Sequence, residues 1–323
     1  MNILSDCPER LAGFARDEDG ARIRIDELRP GDQALWRVLG GGRRPWCGTA
    51  ADPGPPDFWS GAVVVGEARF SQFDALQDAL AGGLRLPGPT ASIALSGHRF
   101  HGQHGRPWMA LPGNLHLCAA VPVPGITARE ALLLPALPAV AVVEAIHALT
   151  GGALRPGIKW VNDLLVEGRK IGGVLTATQV QGEHVSSALL GIGLNVATAP
   201  PVPATPFVPS VGCLADEGAR TTWAEAAVVV LAALGRRLAE VAGSGLGALL
   251  DAYRASSVVI GREVCLFADS ESGRAPSETW STPLLRGTVR GIDADLSLVL
   301  EGVETPVSSG RLAFAADCRD IPT

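Results

Sequence analysis

Lysine is almost absent from this chain. Lysine and arginine together number 27 in 323 residues, and only Lys159 and Lys170 are lysine. Asparagine is nearly as scarce, occurring at Asn2, Asn114, Asn162 and Asn195. No basic run occurs and the net charge is −6, which argues against an anionic polymer or surface as the main partner, so neither nucleic acid nor membrane is expected. The six cysteines (Cys7, Cys47, Cys118, Cys213, Cys265, Cys318) are scattered without a C-x-x-C pair, the usage of reduced thiols. Asp6 and Glu9 stand where a signal peptide needs a basic start and an apolar run, so a cytoplasmic protein is expected. The longest apolar run, Ala131 to Leu149, is interrupted by Pro135, Pro138, Glu144 and His147, which predicts a helix buried between layers rather than a membrane span. GxSxG, HExxH and a Rossmann GxGxxG after a strand are missing too, leaving no support for a nuclease, a hydrolase or a dehydrogenase.

What remains is informative because it is rare. Arginine is a planar fork, whereas lysine is a compact point charge on a thin stem that fits a narrow slot. Both lysines fall within GIKWVNDLLVEGRKIGGVL, residues 157 to 175. Around that stretch the pattern alternates between strands and helices. GAVVVGEARF and ASIALSG read as strands, and FDALQDALAGG as a helix ending in glycines. NLHLCAAV alternates Leu115, Leu117, Ala119 and Val121 on one face of a strand. A hairpin is predicted to turn at Glu167-Gly168, and SSALLGIGLNV is a further buried strand. Trp223, Ala227, Val230, Leu234, Leu238 and Val241 lie at helical spacing behind Thr222 as cap. Beyond Tyr253, short strands separated by glycine turns suggest a small barrel, interrupted by a polar insertion, DSESGRAPSETWSTP, with the texture of a mobile loop. Residues 1–60, ending in a Pro/Gly-rich stretch, read as an arm of unknown role, residues 61–248 as an α/β domain and residues 249–323 as a small β domain.

Three of the four asparagines and both lysines lie in strings that resemble those of one family, the biotin protein ligases of the biotin/lipoate ligase superfamily. KWVNDLLVEGRKIGGVL is similar to that family's K-W-P-N-D-L followed by K-[IL]-x-G-[IL]-L. GRPWMALPGNLHLC resembles G-R-x-W-x-S-P-x-G-x-N-L-Y-x-S, and LLGIGLNV resembles the I-G-x-G-[IL]-N strand. The resemblance runs from about Phe70 to Val196, with the carboxyl-terminal β segment similar to the SH3-like domain of those ligases. It implies a class II synthetase-like α/β catalytic domain, a mixed sheet against helices, followed by a small SH3-like barrel. No helix-turn-helix of the kind fused to ligases that double as repressors is visible in residues 1–60.

The resemblance implies ATP and Mg²⁺ as cofactors, biotin or a similar small carboxylate as substrate, and an acceptor protein with a target lysine. Such a reaction joins two anions to form an acyl-adenylate. It calls for a cation between carboxylate and α-phosphate rather than for a general base, because the carboxylate is already ionised at neutral pH. Lys159 takes that role by motif match, with Asn162 and Asp163 holding phosphate or metal beside it and Asp163 the candidate Mg²⁺ ligand. Gly97, Arg99, Gly102, Arg106, Trp108, Asn114, Gly172, Gly173 and Asn195 are the implied nucleotide- and acyl-binding positions. Lys170 stays open between a site residue and a solvent-facing hairpin residue.

The segment SGHRFHGQHGRPW departs from the family's G-R-G-R-x-G-R, keeping Arg99 and Arg106 and adding His98, His101 and His104. It is expected as a mobile loop that orders on ligand. Three histidines at this spacing invite a metal reading, against which stand the glycines between them and the lack of a nearby carboxylate or cysteine in sequence. A lipoate or octanoate ligase, a cysteine acyltransferase using Cys118 and a non-catalytic ligase-like binding protein are the alternatives. Polar residues that read biotin's ureido ring in the family correspond here to the segment around Ser71 and Gln72, while a family glutamine is replaced by an apolar residue near Ala94 or Leu95. Weaker biotin binding and a taste for a less polar acyl chain are therefore expected.

Overall fold

Alternation along the central strands sends consecutive side chains into two different cores. In the strand Gly61–Val65, Ala62 and Val64 face one apolar layer, and Val63 and Val65 the other. Leu115, Leu117, Ala119 and Val121 share the first layer, as their spacing predicts, while Cys118 and Ala120 join the second. The computed structural model describes residues 1–16, 20–40, 42–50, 58–123, 125–269 and 282–318. In chain order the elements are β1 (Asn2–Ser5), β2 (Ala21–Arg22), α1 (Pro30–Leu39), β3 (Trp46–Thr49), β4 (Gly61–Val65), α2 (Gln72–Ala81), β5 (Thr90–Ala94), β6 (Gly97–His101), β7 (Pro107–Ala110) and β8 (Leu115–Pro122). There follow α3 (Ala136–Leu149), β9 (Gly157–Lys159), β10 (Asp163–Val166), β11 (Arg169–Gln181), β12 (His184–Leu194), α4 (Trp223–Ser244), α5 (Gly247–Ala255), β13 (Glu263–Phe267), β14 (Leu285–Ile292), β15 (Leu298–Leu300) and β16 (Arg311–Phe314).

Ten strands form one mixed sheet in the order β2-β3-β1-β4-β5-β8-β12-β11-β10-β9, with β1, β4 and β5 parallel and all other neighbours antiparallel. Helices α3, α4 and α5 cover one face and α1 and α2 the other. The apolar run ending at Leu149 begins with a 3-10 turn, Glu130–Leu133, and continues as α3, whose Pro138 sits in the first turn, where a missing N–H costs nothing. By length and composition Glu130–Leu149 could cross a membrane, yet 67% of it is buried inside this fold, and Glu144 accepts hydrogen bonds from Arg237 of α4. Thr222 caps α4 in a reciprocal pair with Glu225: the Glu225 N–H donates to its hydroxyl at 3.2 Å and its own N–H donates to the carboxylate at 2.8 Å.

Residues 1–60, expected as an arm, enter the main sheet. β1 pairs with β4 and β3, β2 pairs with β3, and α1 buries Leu35 and Trp36 beside Phe73 and Leu76 of α2. Strands of two to four residues carry too little alternation to be read from sequence. The expected division after residue 248 cuts α5, whose Leu249, Leu250 and Tyr253 belong to the same core as α3 and α4. The small antiparallel sheet has the order β15-β14-β13-β16 and is fastened by Trp160, whose Nε1 donates to the Leu296 carbonyl at 2.7 Å, and by Arg254, whose Nε donates to Ile292 O at 2.7 Å. Most of the polar insertion at 269–283 and half of the Pro/Gly-rich stretch ending at residue 61 lie outside the described residues.

Asn114 knots the loop after β12 to the start of β8. Its Oδ1 accepts from the N–H groups of Val196, Ala197 and Thr198 at 3.0, 3.1 and 3.0 Å, and its Nδ2 donates to Thr198 O at 2.8 Å. Asn114→Ala would leave buried donors unmet and is expected to cost about 3 kcal/mol of stability, read as a lowered urea midpoint with unchanged slope.

Candidate active site

A cavity of about 290 Å³ opens between α2, the β6–β7 hairpin and the middle of the main sheet. Its first wall is the start of α2. Ser71 caps the helix, accepting from the Asp74 N–H at 3.3 Å, and Gln72 and Phe73 follow it into the cavity. The second wall is the hairpin, which supplies Gly102, Arg106 and Trp108. The segment expected as a loop pairs as two strands, with Phe100 opposite Trp108 and His101 opposite Pro107, and turns through His104 and Gly105, both in the left-handed region. The floor is β8, β11 and β12, where Gly191 and Gly193 keep the surface low: a Cβ on Gly193 would meet the Trp108 ring at 2.4 Å.

Both ends of the cavity have distinct chemistry. At the α2 end, Gln72 is 3% exposed, and neither its Oε1 nor its Nε2 has a hydrogen-bond partner. Leaving both halves of an amide unmet is costly unless a ligand meets them. His116 beside it is neutral: burial pulls its pKa down to about 4, its Nε2 donates to Leu111 O at 3.1 Å, and its Nδ1 accepts from Trp108 Nε1 at 3.3 Å. Burial, and then the Asp74 charge, pushes the Cys118 thiol well above its usual value, so this cysteine is a protonated wall group and not a nucleophile.

At the other end stand Asn162, Asp163, Lys170, Arg106 and Arg311. Lys170 Nζ lies 2.5 Å from Asp163 Oδ1. Burial would raise the Asp163 pKa, but the charges of Lys170 and Lys159 outweigh it and hold the carboxyl below its usual range, ionised. Asn162 donates to Val174 O at 2.7 Å, fixing β10 to β11. Arg311 arrives from the small sheet, its guanidinium 3.7 Å from the centroid of the Phe207 ring; burial, and then the neighbouring Arg106 charge, lowers its pKa to about 10. Three cations thus face one carboxylate at this end, a balance suited to phosphates.

Of the two lysines, Lys170 lines the cavity and Lys159 does not. Lys159 is 3% exposed and is not part of the cavity wall: its ammonium donates to Phe207 O and lies 5.6 Å from the Phe314 ring centroid, and burial lowers its pKa to about 8. Lys170 reaches the cavity because the pairing of β10 with β11 slips by one residue between Leu164 and Leu165, a bulge that turns Lys170 to the face of Gly173 and Asp163. Without that slip its side chain would point away.

Of the other sequence-derived positions, Gly102, Arg106, Trp108, Gly173 and Asn195 line the cavity with Asn162 and Asp163. Asn195 donates to Gly212 O at 3.0 Å and keeps a buried, unpartnered Oδ1. Gly97, Arg99, Asn114 and Gly172 lie off the wall. A Cβ on Gly97 would meet the Phe100 ring at 2.4 Å, and one on Gly172 would meet Gly193 O at 2.7 Å. Arg99 sits at the surface 5.7 Å from the Phe70 ring centroid, and Asn114 is the knot described above. Arg311 and His116 were not found from sequence; Arg311 belongs to no motif and comes from a different sheet. Asp163 is the one carboxylate among the described wall residues, and Lys170 already occupies it. The donor set therefore does not fit a magnesium ion held directly by Asp163, and no group of three or more metal-ligating side chains occurs among the described residues.

Part of the sequence and the overall fold are shared with known proteins. Residues 92–195 match the sequence model of the Biotin/lipoate A/B protein ligase family. A bifunctional ligase/repressor BirA of Bacillus spizizenii is 38% identical over 95 residues, covering 29% of this chain and 29% of that protein. A biotin--[acetyl-CoA-carboxylase] ligase of Paracoccus denitrificans is 28% identical over 203 residues, covering 62% of this chain and 79% of that protein. A biotin protein ligase from Aquifex aeolicus, solved in complex with biotin and ATP, has the same fold, with a TM-score of 0.59 at 19% identity over 79% of this chain and 98% of its own. The match to that family spans residues 92–195, and the fold is that of the Aquifex protein.

Proposed function

We propose that this chain is an ATP-dependent biotin--protein ligase, which activates biotin as its acyl-adenylate and passes the acyl group to a lysine of an acceptor protein. The observation that carries this reading is one cavity with an unmet amide at one end and three cations at the other. Gln72 offers a donor and an acceptor side by side, the complement of the N–H and C=O of a cyclic urea. Leu117, Val174 and Ile192 give the aliphatic chain an apolar floor. Lys170 then receives the carboxylate, with Arg106 and Arg311 beside the phosphates. A carboxylate oxygen attacks the α-phosphorus, the bond to the bridging oxygen breaks, and pyrophosphate leaves. Lys170 offsets the repulsion between the two anions and stabilises the charge that develops, and no base is needed for this step. In the second step the acceptor amine attacks the acyl carbon, and the C–O bond to AMP breaks. Magnesium would enter with the nucleotide, and no step is assigned to it.

The name of the Paracoccus relative supports a carboxylase carrier as the acceptor. The cysteines support the cytoplasm as compartment, since all six are free and five of them are buried. The buried thiol of Cys118 speaks against acyl transfer through cysteine, and Gln72 favours biotin over the less polar chain expected from Ala94 and Leu95. Exchange of labelled pyrophosphate into ATP, run with biotin, lipoate and octanoate, tests the reading. Exchange that requires biotin is expected; exchange with octanoate or lipoate but not biotin, or with none of the three, refutes it.

A further inference from the structure

Each of the three histidines in the hairpin faces a carboxylate on a different part of the chain. His98 Nε2 is 2.9 Å from Glu67, His101 Nε2 is 2.8 Å from Asp74, and His104 Nε2 is 3.5 Å from Asp269. His101 differs from the other two in what its second nitrogen meets. Its Nε2 reaches both Asp74 oxygens, at 2.8 and 2.9 Å, and its Nδ1 lies 2.9 Å from the Gly102 carbonyl. Carboxylate and carbonyl oxygens only accept, so both contacts are hydrogen bonds only when the ring carries two protons. Asp74 stands in the first turn of α2, two residues after Gln72, and His101 precedes Gly102. The pair therefore joins the two walls of the cavity at the point where they meet.

We propose that Asp74 and a doubly protonated His101 form a clasp that positions the β6–β7 hairpin, with Gly102, Arg106 and Trp108, across the cavity, and that the hairpin loosens when the ring gives up its second proton. The other charged or titratable groups around the clasp are the Cys118 thiol on β8, Arg106 on the hairpin itself, and the His98–Glu67 and His104–Asp269 pairs at its flanks. The Gly102 carbonyl, opposed by burial and reinforced by Asp74, holds the His101 pKa above that of a free imidazole. A raised folded-state pKa sets the sign: the clasp is fully present below about pH 6.5 and is lost as pH rises through the raised value. An arginine at this position would close the hairpin at every pH; histidine makes closure depend on proton concentration.

The clasp is a property of the free protein, and only its effect on substrate rests on the proposed ligase reading. Hydrogen exchange of residues 97 to 107 in the ligand-free chain, corrected for intrinsic rates, is compared at pH 6 and pH 9. Loss of one charge-assisted pair predicts about a tenfold fall in protection. Asp74→Asn should give low protection at both values, and His101→Arg should restore high protection at both. Equal protection of the wild type at the two pH values overturns the clasp, as does a step that survives in Asp74→Asn at more than half its size. In the same samples, biotin-dependent pyrophosphate exchange should show a KM for ATP that rises at pH 9 in the wild type but not in His101→Arg. No exchange at any pH would count against the ligase reading and leave the protection result standing.

Discussion

Lys170→Ala is expected to slow biotin-dependent pyrophosphate exchange about a hundredfold or more, the usual cost of removing one preorganised charge contact at a reacting centre. Alanine removes the cation and also the largest of the effects that offset the burial of Asp163, so the wall carboxyl loses its partner as well. Lys159 cannot stand in, because its ammonium is spent on the Phe207 carbonyl outside the cavity. Lys170→Arg should recover little, since the slot beside Asp163 and Gly173 admits a thin stem and one contact rather than a planar fork. Exchange rates of both variants, set beside their melting temperatures, separate a lost contact from a lost fold. Exchange within fivefold of wild type for the alanine variant would remove Lys170 from the mechanism.

Gln72→Leu should move stability and binding in opposite directions. Leucine has a similar size and removes two buried polar atoms that have no partner, which relieves about 1 to 3 kcal/mol for each and raises the melting temperature of the empty protein. The same change takes away both hydrogen bonds proposed for the ureido group, and biotin affinity should fall about 30-fold or more. Octanoate, which has no ureido group, should bind as well or better. Calorimetry with the two acids decides: unchanged biotin affinity in the leucine variant would show that the amide reads something else.

These two residues also mark where sequence reading succeeded and where it stopped. The β8 face, the Thr222 cap and the turn at Glu167 and Gly168, both at positive φ, follow from local pattern, and each is present. The choice between Lys159 and Lys170 does not follow from pattern, because it depends on a one-residue slip between β10 and β11 that reverses which side of the strand a residue faces. The segment around Ser71 and Gln72 could be aligned from sequence, but an unpartnered amide is a property of packed surroundings. The hairpin has the texture of a loop for want of β-branched residues, and the partners of its histidines lie on segments up to 165 positions away. Residues 1–60 hid their strands by shortness.

The scarcity of lysine leaves the surface poor in amines. Of the two lysines, Lys159 is 3% exposed, and Lys170 has a side chain 22% exposed and paired with Asp163. An acyl-adenylate is a mixed anhydride, and amines in solution are its natural targets. Arginine, charged at every working pH, does not compete as a nucleophile. On the proposed reading the arginine-for-lysine bias removes lysine targets from the ligase itself: an activated acyl group that escapes the cavity meets no freely exposed lysine amine on the protein that made it, and is left chiefly for the acceptor or for water.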